Sequence, residues 1–431
     1  MFTVRRERRG VAGLAGAALV GVLALTGCAE EADGANSGGD GGTTAGIEYG
    51  ATREEWQEAL ADIDPIVIKA QSPSPQGAVT GAKFEGYMEA VEDWSGGKIT
   101  FDIAFANAVA PPLEVDNALA DGRLDLGSVV PSFEPQEYPA NAAFGAATQQ
   151  GPNGPFAGTL ISNTWWLDVA YDTPEMFQEA EDHGFHIIQP AFNSGLITLM
   201  CAEPKTGLAE LEGSTVIVGN QSQARAVEDF GGSSVSMAYP EIFEALQRGV
   251  ADCSLNSLLV AELGGFTSEV PHVVSDPDAG FGSGAGAWAF SSAAWESYPL
   301  EVQQLLFDKL DAFMVSNFES IWTTIEGVVD DATAAGGSFS EFDDDAERSV
   351  QETNEGILDE LRENPALGDG EGFVDNVQSS IDMWTTTITE DLGYEEVPYE
   401  EFSEFYEPGE VDLEALTQEV FEEILLEHRP S

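Results

Sequence analysis

The chain has 431 residues, of which 77 are aspartate or glutamate and 16 are lysine or arginine, so its formal net charge is −61 at pH 7. Nucleic acids and anionic lipid surfaces repel so acidic a body, which excludes nucleic-acid binding as its function. Self-repulsion among the carboxylates also opposes compactness, and salt relieves it by screening. The composition therefore favours a salt-tolerant source, with an ordinary acidic secreted protein as the alternative.

The first 28 residues carry the pattern of a secretion signal. Four arginines lie among the first nine residues, an apolar run extends from Val11 to Leu25, and Thr26-Gly27-Cys28 follows. The end of this stretch resembles the lipobox of bacterial lipoproteins, in which the cysteine takes a diacylglyceryl group. We expect residues 1–27 to be a cleaved signal peptide and Cys28 to be the lipidation site. A transmembrane helix is the alternative, but about 15 apolar residues are short for a span.

Residues 28–50 are predicted to be a lipidated cysteine followed by a flexible linker. Almost all of them are alanine, glycine, small polar or acidic residues, a composition that buries no core. No later apolar run approaches the length of a membrane span. We therefore expect an extracytoplasmic protein, lipid-anchored to the outer face of the cell membrane.

The body begins with a strand, helix, strand unit. Pro65 to Ala70 is an apolar run typical of a buried strand, and Lys98 to Phe105 alternates as a second strand. Between them, apolar side chains recur at helical spacing: Phe84, Tyr87, Met88, Val91 and Trp94. This order of elements predicts the start of an α/β lobe.

A short internal repeat suggests a second lobe of the same kind. The pattern ALxxGxxD occurs at Ala118–Asp125 and again at Ala245–Asp252. In each copy we expect a helix that ends at a glycine in the left-handed conformation, with a strand opening after the aspartate. A body of about 380 residues is also long enough for two cores.

Three further strands are predicted in the second lobe, at Phe185–Gln189, Leu196–Met200 and Thr215–Val218. An apolar stripe then predicts one long helix from Leu300 to Val329 that braces both lobes. The predicted division is lobe I over 51–185 with part of 270–300, lobe II over 186–270 with part of the C-terminal region, the bracing helix over 300–329 and an acidic helical extension over 330–431. Disorder of the acidic tail is the alternative.

Cys201 and Cys253 are the only cysteines besides Cys28. In an oxidising compartment they form one disulfide or remain two buried thiols, and the sequence leaves both open.

Several segments, in this order, resemble the substrate-binding proteins of TRAP transporters, the tripartite ATP-independent periplasmic family. They are Ser95–Ile99, Gly122–Gly127, Leu208–Val218, Phe230–Gly232, Ala245–Asn256 and Ala293–Ser297. The resemblance implies an α/β, two-lobed periplasmic-binding-protein-like fold that closes on a small organic acid or polar solute and delivers it to a membrane permease. It implies no cofactor.

One departure from the family pattern concerns the ligand. Members usually carry an arginine where this chain has Ile217, and its guanidinium grips the ligand carboxylate. Either the ligand is not a simple carboxylate, or another cation such as Arg225 or Lys69 has taken over that contact.

The candidate ligand-binding residues come from the resemblance and from position. Asn193 and Asn256 stand where the family places amides, and Gln221 follows the Ile217 strand. Side chains at strand ends or with aromatic rings complete the set: Gln71, Asn107, Trp288 and Tyr239, with Arg225 as the cation. The alternative roles are caps and turns for the amides and core packing for the aromatics.

An enzyme is not expected. The motifs GxSxG, GxxxxGK[ST] and HExxH are absent from the sequence. His183 and His186 lack an evident third ligand, so no metal site is predicted. The remaining alternatives are an ABC-type solute-binding lipoprotein and a sensor or structural lipoprotein without transport.

Overall fold

The computed structural model describes residues 46–237 and 239–431, without the side chains of residues 239 and 240. The expected signal peptide, Cys28 and nearly all of the linker lie outside the described residues. In the part that is described, no helix is both long enough and apolar enough to span a membrane.

Two β-sheets form the framework, and each belongs to one lobe. The strands are β1 (Ile66–Gln71), β2 (Ile99–Ala104), β3 (Leu126–Val129), β4 (Phe185–Phe192), β5 (Ile197–Cys201), β6 (Thr215–Ile217), β7 (Ser233–Val235), β8 (Cys253–Ser257), β9 (His272–Val274), β10 (Gly286–Ser291) and β11 (Ser338–Ser340). Lobe I holds the sheet β2-β1-β3-β10-β4, and lobe II holds the sheet β11-β9-β5-β8-β6-β7.

Helices cover both sheets and continue to the C-terminus. They are α1 (Arg53–Ala59), α2 (Ala82–Trp94), α3 (Val115–Ala120), α4 (Pro139–Ala147), α5 (Ala157–Tyr171), α6 (Pro174–Asp182), α7 (Leu208–Leu211), α8 (Gln221–Asp229), α9 (Tyr239–Gln247), α10 (Leu258–Gly264), α11 (Ser292–Ser297), α12 (Leu300–Asp308), α13 (Leu310–Ala334), α14 (Asp344–Arg362), α15 (Gly370–Thr386), α16 (Tyr399–Phe405), α17 (Glu414–Val420) and α18 (Leu426–His428). The predicted unit of β1, α2 and β2 is confirmed, because β1 and β2 pair in parallel and α2 joins them.

The internal repeat has the same structure in both lobes. Gly122 and Gly249 follow α3 and α9 with φ of 76° and 65°, the left-handed region that glycine adopts without steric cost. In lobe I, Asp125 Oδ2 accepts a 2.8 Å hydrogen bond from the amide of Lys69 on β1. In lobe II, Asp252 Oδ2 accepts a 2.8 Å bond from the amide of Thr215 on β6. Each aspartate thus fixes the start of its strand against a parallel neighbour.

Up to β11, the chain crosses between the two lobes at residues 193–196, 275–285 and 335–337, and α14 then leads it back to lobe I. The first of these corrects the expected boundary at residue 185. β4 pairs with β10 in lobe I, so its assignment to lobe II was wrong. A continuous apolar strand gives no sign of which sheet it joins, because its partner β10 lies about a hundred residues further along the chain.

A disulfide joins Cys201, the last residue of β5, to Cys253, the first residue of β8, and the two are cross-strand partners. The choice that the sequence left open is thereby resolved in favour of the disulfide. It covalently links the strand that enters lobe II to the strand that follows the second ALxxGxxD copy.

The expected bracing helix is two helices. The helix is interrupted at Lys309, since α12 ends at Asp308 and α13 begins at Leu310. In the first turn of α13, Asp311 Oδ1 accepts a hydrogen bond from the amide of Ala312. α13 packs against α2 of lobe I and α10 of lobe II, so it does brace both lobes.

The predicted helical extension is confirmed, and its last part wraps lobe I. α14 contacts α8 of lobe II and α4 of lobe I, and α15 packs on α5. Near the end, the Arg429 guanidinium forms a paired ion contact with Asp308 on α12, with Nε to Oδ1 at 2.7 Å. The Gln304 side chain holds both ends of the described chain, accepting from the amide of Ile47 at 2.7 Å and donating to the carbonyl of Pro430 at 2.9 Å.

Candidate functional site

A cleft of about 550 Å³ lies where lobe I, lobe II and α14 meet. Lobe I contributes the turn after β3 and the end of α4, lobe II contributes the start of α8, and Gly284 is the lining residue from the crossing segment 275–285. The polar and charged lining residues are Ser132, Asn220, Gln221, Ser222, Arg225 and Glu360. A ligand here would touch both lobes, as capture by closure requires.

The start of α8 is fixed to the crossing segment. Asn220 caps the helix, since its Oδ1 accepts a 2.9 Å bond from the amide of Gln223. The side-chain amides of Asn220 and Gln223 both donate to the carbonyl of Gly282, each at 2.8 Å. The loop after the Ile217 strand is therefore preorganised at the cleft, and Gln221 and Ser222 are the residues it presents there.

Arg225 and Glu360 are the two charged residues among those that line the cleft. The Arg225 guanidinium lies 2.7 Å from Glu360 Oε1, and both side chains keep substantial exposure. Of the two cations proposed to replace the family arginine, Arg225 is at the cleft. Lys69 instead donates to the carbonyl of Gly122 and pairs with Asp125 beside β1.

Ile217 itself is fully buried at the end of β6, with 1% of its surface exposed. It packs in the core, so it presents no polar group to a ligand. The described cleft thus has one cation and one carboxylate, and their charges cancel.

Gln149 is a polar residue near the cleft that sequence reasoning missed. Its side chain is 3% exposed, and neither its Oε1 nor its Nε2 has a hydrogen-bond partner among the described residues. A Cβ atom at Gly282 would lie 2.7 Å from Ser222 Oγ and 3.1 Å from Gln149 Oε1. The side chains of Gln149 and of the cleft residue Ser222 therefore both lie close to Gly282. A glutamine after a helix gives no signal of a binding role in the sequence.

The structure brings Gln71 and Asn107 together, but it gives Gln71 a full set of partners. Gln71 Oε1 accepts from the amides of Val109 and Ala110, and its Nε2 donates to Asn107 Oδ1 and to the carbonyl of Ala110. This buried side chain holds the loop after β2.

Asn193 is buried in the first crossing segment. Its Nδ2 donates to Ser162 on α5, its Oδ1 accepts from the amide of Gly195, and its carbonyl accepts from Asn317 on α13. These contacts fix the crossing between the lobes. Asn193 is thus placed to position the lobes.

Asn256 and Trp288 do not line this cleft. Asn256 on β8 is half-buried and donates to Ser254 Oγ at 2.6 Å. Trp288 is fully buried in the core of lobe I against Phe84, so the expected wall role does not fit its position. Its sequence neighbourhood is equally compatible with a core strand and a binding wall, and burial decides for the core. The side chain of Tyr239 lies outside the described residues, so its role stays a prediction.

Lys83 is a second residue that the sequence analysis did not single out. It is 1% exposed, and its Nζ donates to Ser194 Oγ in the first crossing segment at 2.9 Å. Burial lowers the pKa of Lys83 to about 7. Across residues 46–237 and 239–431, no group of acidic, histidine or cysteine side chains is arranged to hold a metal ion.

A family model described as "Bacterial extracellular solute-binding protein, family 7" matches residues 70–364. The match ends shortly after α14, so α15 to α18 lie beyond it.

Several solved structures have the same fold. About three quarters of this chain aligns with nearly the whole length of each of them. The periplasmic ectoine-binding protein from the TeaABC TRAP transporter of Halomonas elongata is 18% identical, with a TM-score of 0.60, over 74% of this chain and 100% of that chain. A Bordetella pertussis extracytoplasmic solute receptor binding pyroglutamic acid is 16% identical, with a TM-score of 0.60, over 72% and 99%. A marine metagenome TRAP solute-binding protein specific for aromatic acid ligands is 17% identical, with a TM-score of 0.62, over 75% and 99%.

Proposed function

The chain belongs to family 7 of the bacterial extracellular solute-binding proteins and is an extracytoplasmic solute receptor of the TRAP type, and we propose that it captures a small polar solute in the cleft at Arg225 and Glu360. The observation that carries this site is the lining itself. Side chains from lobe I, lobe II and α14 converge on one space of ligand size.

Closure of the lobes is the proposed working step. Three crossing segments, α13 and α14 connect the lobes, so relative motion of the lobes requires bending in these connections. A ligand that contacts both lobes favours the closed state by its differential affinity for that state. The membrane permease of the transporter would then recognise the closed form. A non-transport sensor on the same fold is the alternative, and dependence of solute uptake on the permease separates the two.

The ligand class is tested on the purified protein. Mass spectrometry of solute released by denaturation identifies what the protein carries, and a thermal-shift series with that solute checks specific binding. A ligand that binds only the folded state must raise the melting temperature. Absence of any carried solute, with no shift from organic acids, amides, polyols or zwitterions, would contradict a receptor function.

Lipid anchoring at Cys28 on the outer face of the membrane completes the proposal, and the lipobox-like Leu25–Cys28 supports it. We expect Cys28→Ala to move the protein from the membrane fraction to the soluble extracytoplasmic fraction and to abolish labelling by a radioactive fatty acid. Ser37→Ala is the matched control, because it changes another small polar residue of the predicted linker and leaves Cys28 in place. Unchanged membrane retention and labelling of the Cys28→Ala variant would contradict the anchor.

A further inference from the structure

We propose that the cleft solute is a small zwitterion, a molecule with a carboxylate and a cationic nitrogen together, and that Gln149, which is buried beside Gly282 next to the cleft, contacts it. The proposal rests on the proposed function, since it names the ligand class of that same site.

The charge pair at the mouth of the cleft favours a ligand that carries both charges. Arg225 and Glu360 are 2.7 Å apart, and Ile217 removes the cation that would hold a simple anion deeper in lobe II. An anion that binds Arg225 must displace Glu360 and leave a carboxylate beside its own charge, which is repulsive. A zwitterion replaces both partners, its carboxylate on Arg225 and its cationic nitrogen on Glu360.

The electrostatic field of the whole chain also disfavours an anionic ligand. A formal charge of −61 repels small anions as they approach and leaves a solute of zero net charge unaffected. Since the described lining offers a single cation, no local excess of positive charge offsets that field. Anion capture is therefore disfavoured in both approach and binding.

The side-chain amide of Gln149 has no hydrogen-bond partner among the described residues. Buried polar atoms in folded proteins are almost always hydrogen-bonded, so an amide with donor and acceptor both unpaired marks a place where a partner belongs. Gly282 has no side chain to block the approach, and Ser222 lies one helical turn before Arg225 on α8. An amide satisfies a carboxylate oxygen with its N–H and a cationic N–H with its oxygen.

The experiment compares matched probes by calorimetry and thermal shift on the full-length protein in detergent. The zwitterions are ectoine, L-proline and glycine betaine, and the anions are pyroglutamate, 3-hydroxybenzoate and D-glucuronate. We expect binding from at least one zwitterion, and from the anions no binding or binding at least tenfold weaker. Anions that bind as well as or better than every zwitterion overturn the proposal while leaving the receptor function intact. No binding by any probe, together with no carried solute, overturns both.

Two variants are each expected to weaken zwitterion binding while improving a second measured property, either anion binding or the melting temperature. Loss of a purely structural contact would not have both effects. Glu360→Gln should weaken zwitterion binding at least tenfold and strengthen anion binding, because Arg225 is then free. Gln149→Met should weaken zwitterion binding while raising the melting temperature of the ligand-free protein, because it removes two unpaired polar atoms. Glu363→Gln, which changes a nearby acidic residue after α14, is the control. If Glu360→Gln weakened the binding of zwitterions and of anions equally, the Arg225–Glu360 ion pair would have only the structural role of holding α14 against α8.

Discussion

At the scale of single residues, Lys83 joins α2 to the first crossing segment from a fully buried position. Its ammonium donates to Ser194 Oγ and lies 5.4 Å from the centre of the Phe192 ring. The structure gives it no carboxylate partner among the described residues. Burial without an opposite charge disfavours the protonated amine, and this is why its pKa falls to about 7.

This shift predicts a pH-dependent stability. The ordinary lysine pKa is 10.5, so between pH 7 and 10.5 the unfolded chain binds a proton that the folded chain does not. The free energy of unfolding therefore rises with pH across that window, and the cost of burying the charge is fully present below pH 7. We expect Lys83→Met to melt higher than the parent at pH 6 and to lose that advantage by pH 10, measured by calorimetry.

Lys69→Met is the control for this prediction, because Lys69 is exposed on the neighbouring strand β1. The difference in melting temperature between Lys69→Met and the parent should not change comparably between pH 6 and pH 10. A melting difference for Lys83→Met that is equal at both pH values would contradict burial of a titrating amine.

Residue-scale prediction from sequence succeeded where a residue acts within its own local pattern. Asp125 and Asp252 each follow a helix and a glycine and directly precede a strand, so their equivalence was readable from the repeat. Gln149 and Lys83 owe their surroundings to segments far along the chain, Gly282 and Ser194 respectively. No local pattern carries that information.

At the scale of elements, the C-terminal extension completes the N-terminus of α5. Glu396 lies between α15 and α16, and its carboxylate accepts from the amides of Phe156 and Gly158 at 2.8 Å and 2.7 Å. These are backbone donors that a helix start leaves unpaired. An acidic group there also complements the positive end of the helix dipole. Lobe I therefore depends on a residue beyond the family match.

We expect Glu396→Ala to lower the free energy of unfolding by about 0.5–2 kcal/mol, the usual cost of losing a helix cap. Chemical denaturation measures this change. The adjacent Glu395→Ala is the matched control and should change stability by less than about 0.5 kcal/mol, as for an exposed surface site. Equal effects of the two variants would contradict the capping role.

Element prediction from sequence was accurate for strands and helices with strong periodicity, such as β1 and α2. It failed at β4, whose partner β10 is distant in sequence, and at the break between α12 and α13. The apolar stripe continues across Lys309, so periodicity alone predicts one helix there. The break is a local backbone event at one residue, which a pattern averaged over many residues does not resolve.

At the scale of the whole molecule, carboxylate repulsion is the main electrostatic feature. Most of the charge lies on exposed side chains with few basic partners. The Debye length falls from about 10 Å at 0.1 M salt to about 3 Å at 1 M, so added salt suppresses this repulsion.

We expect the melting temperature to rise steeply with sodium chloride at low concentration and then to flatten, as measured by differential scanning calorimetry. Screening depends on ionic strength, so sodium chloride and potassium chloride should give the same curve. A rise that stays linear to molar concentrations and differs between sulfate and chloride at equal ionic strength would instead indicate preferential exclusion of salt from the surface.

The contact of Gln304 with both Ile47 and Pro430 has a mechanical consequence. Gln304 lies on α12, and α12 is fastened to lobe I because Tyr87 on α2 donates to the carbonyl of Leu306. A pulling force on the segment that leads toward the proposed anchor at Cys28 is therefore borne by lobe I alone. Lobe II can swing without performing work against the tether. Tension from thermal motion of the tethered body would then reorient the whole receptor without separating lobe I from lobe II.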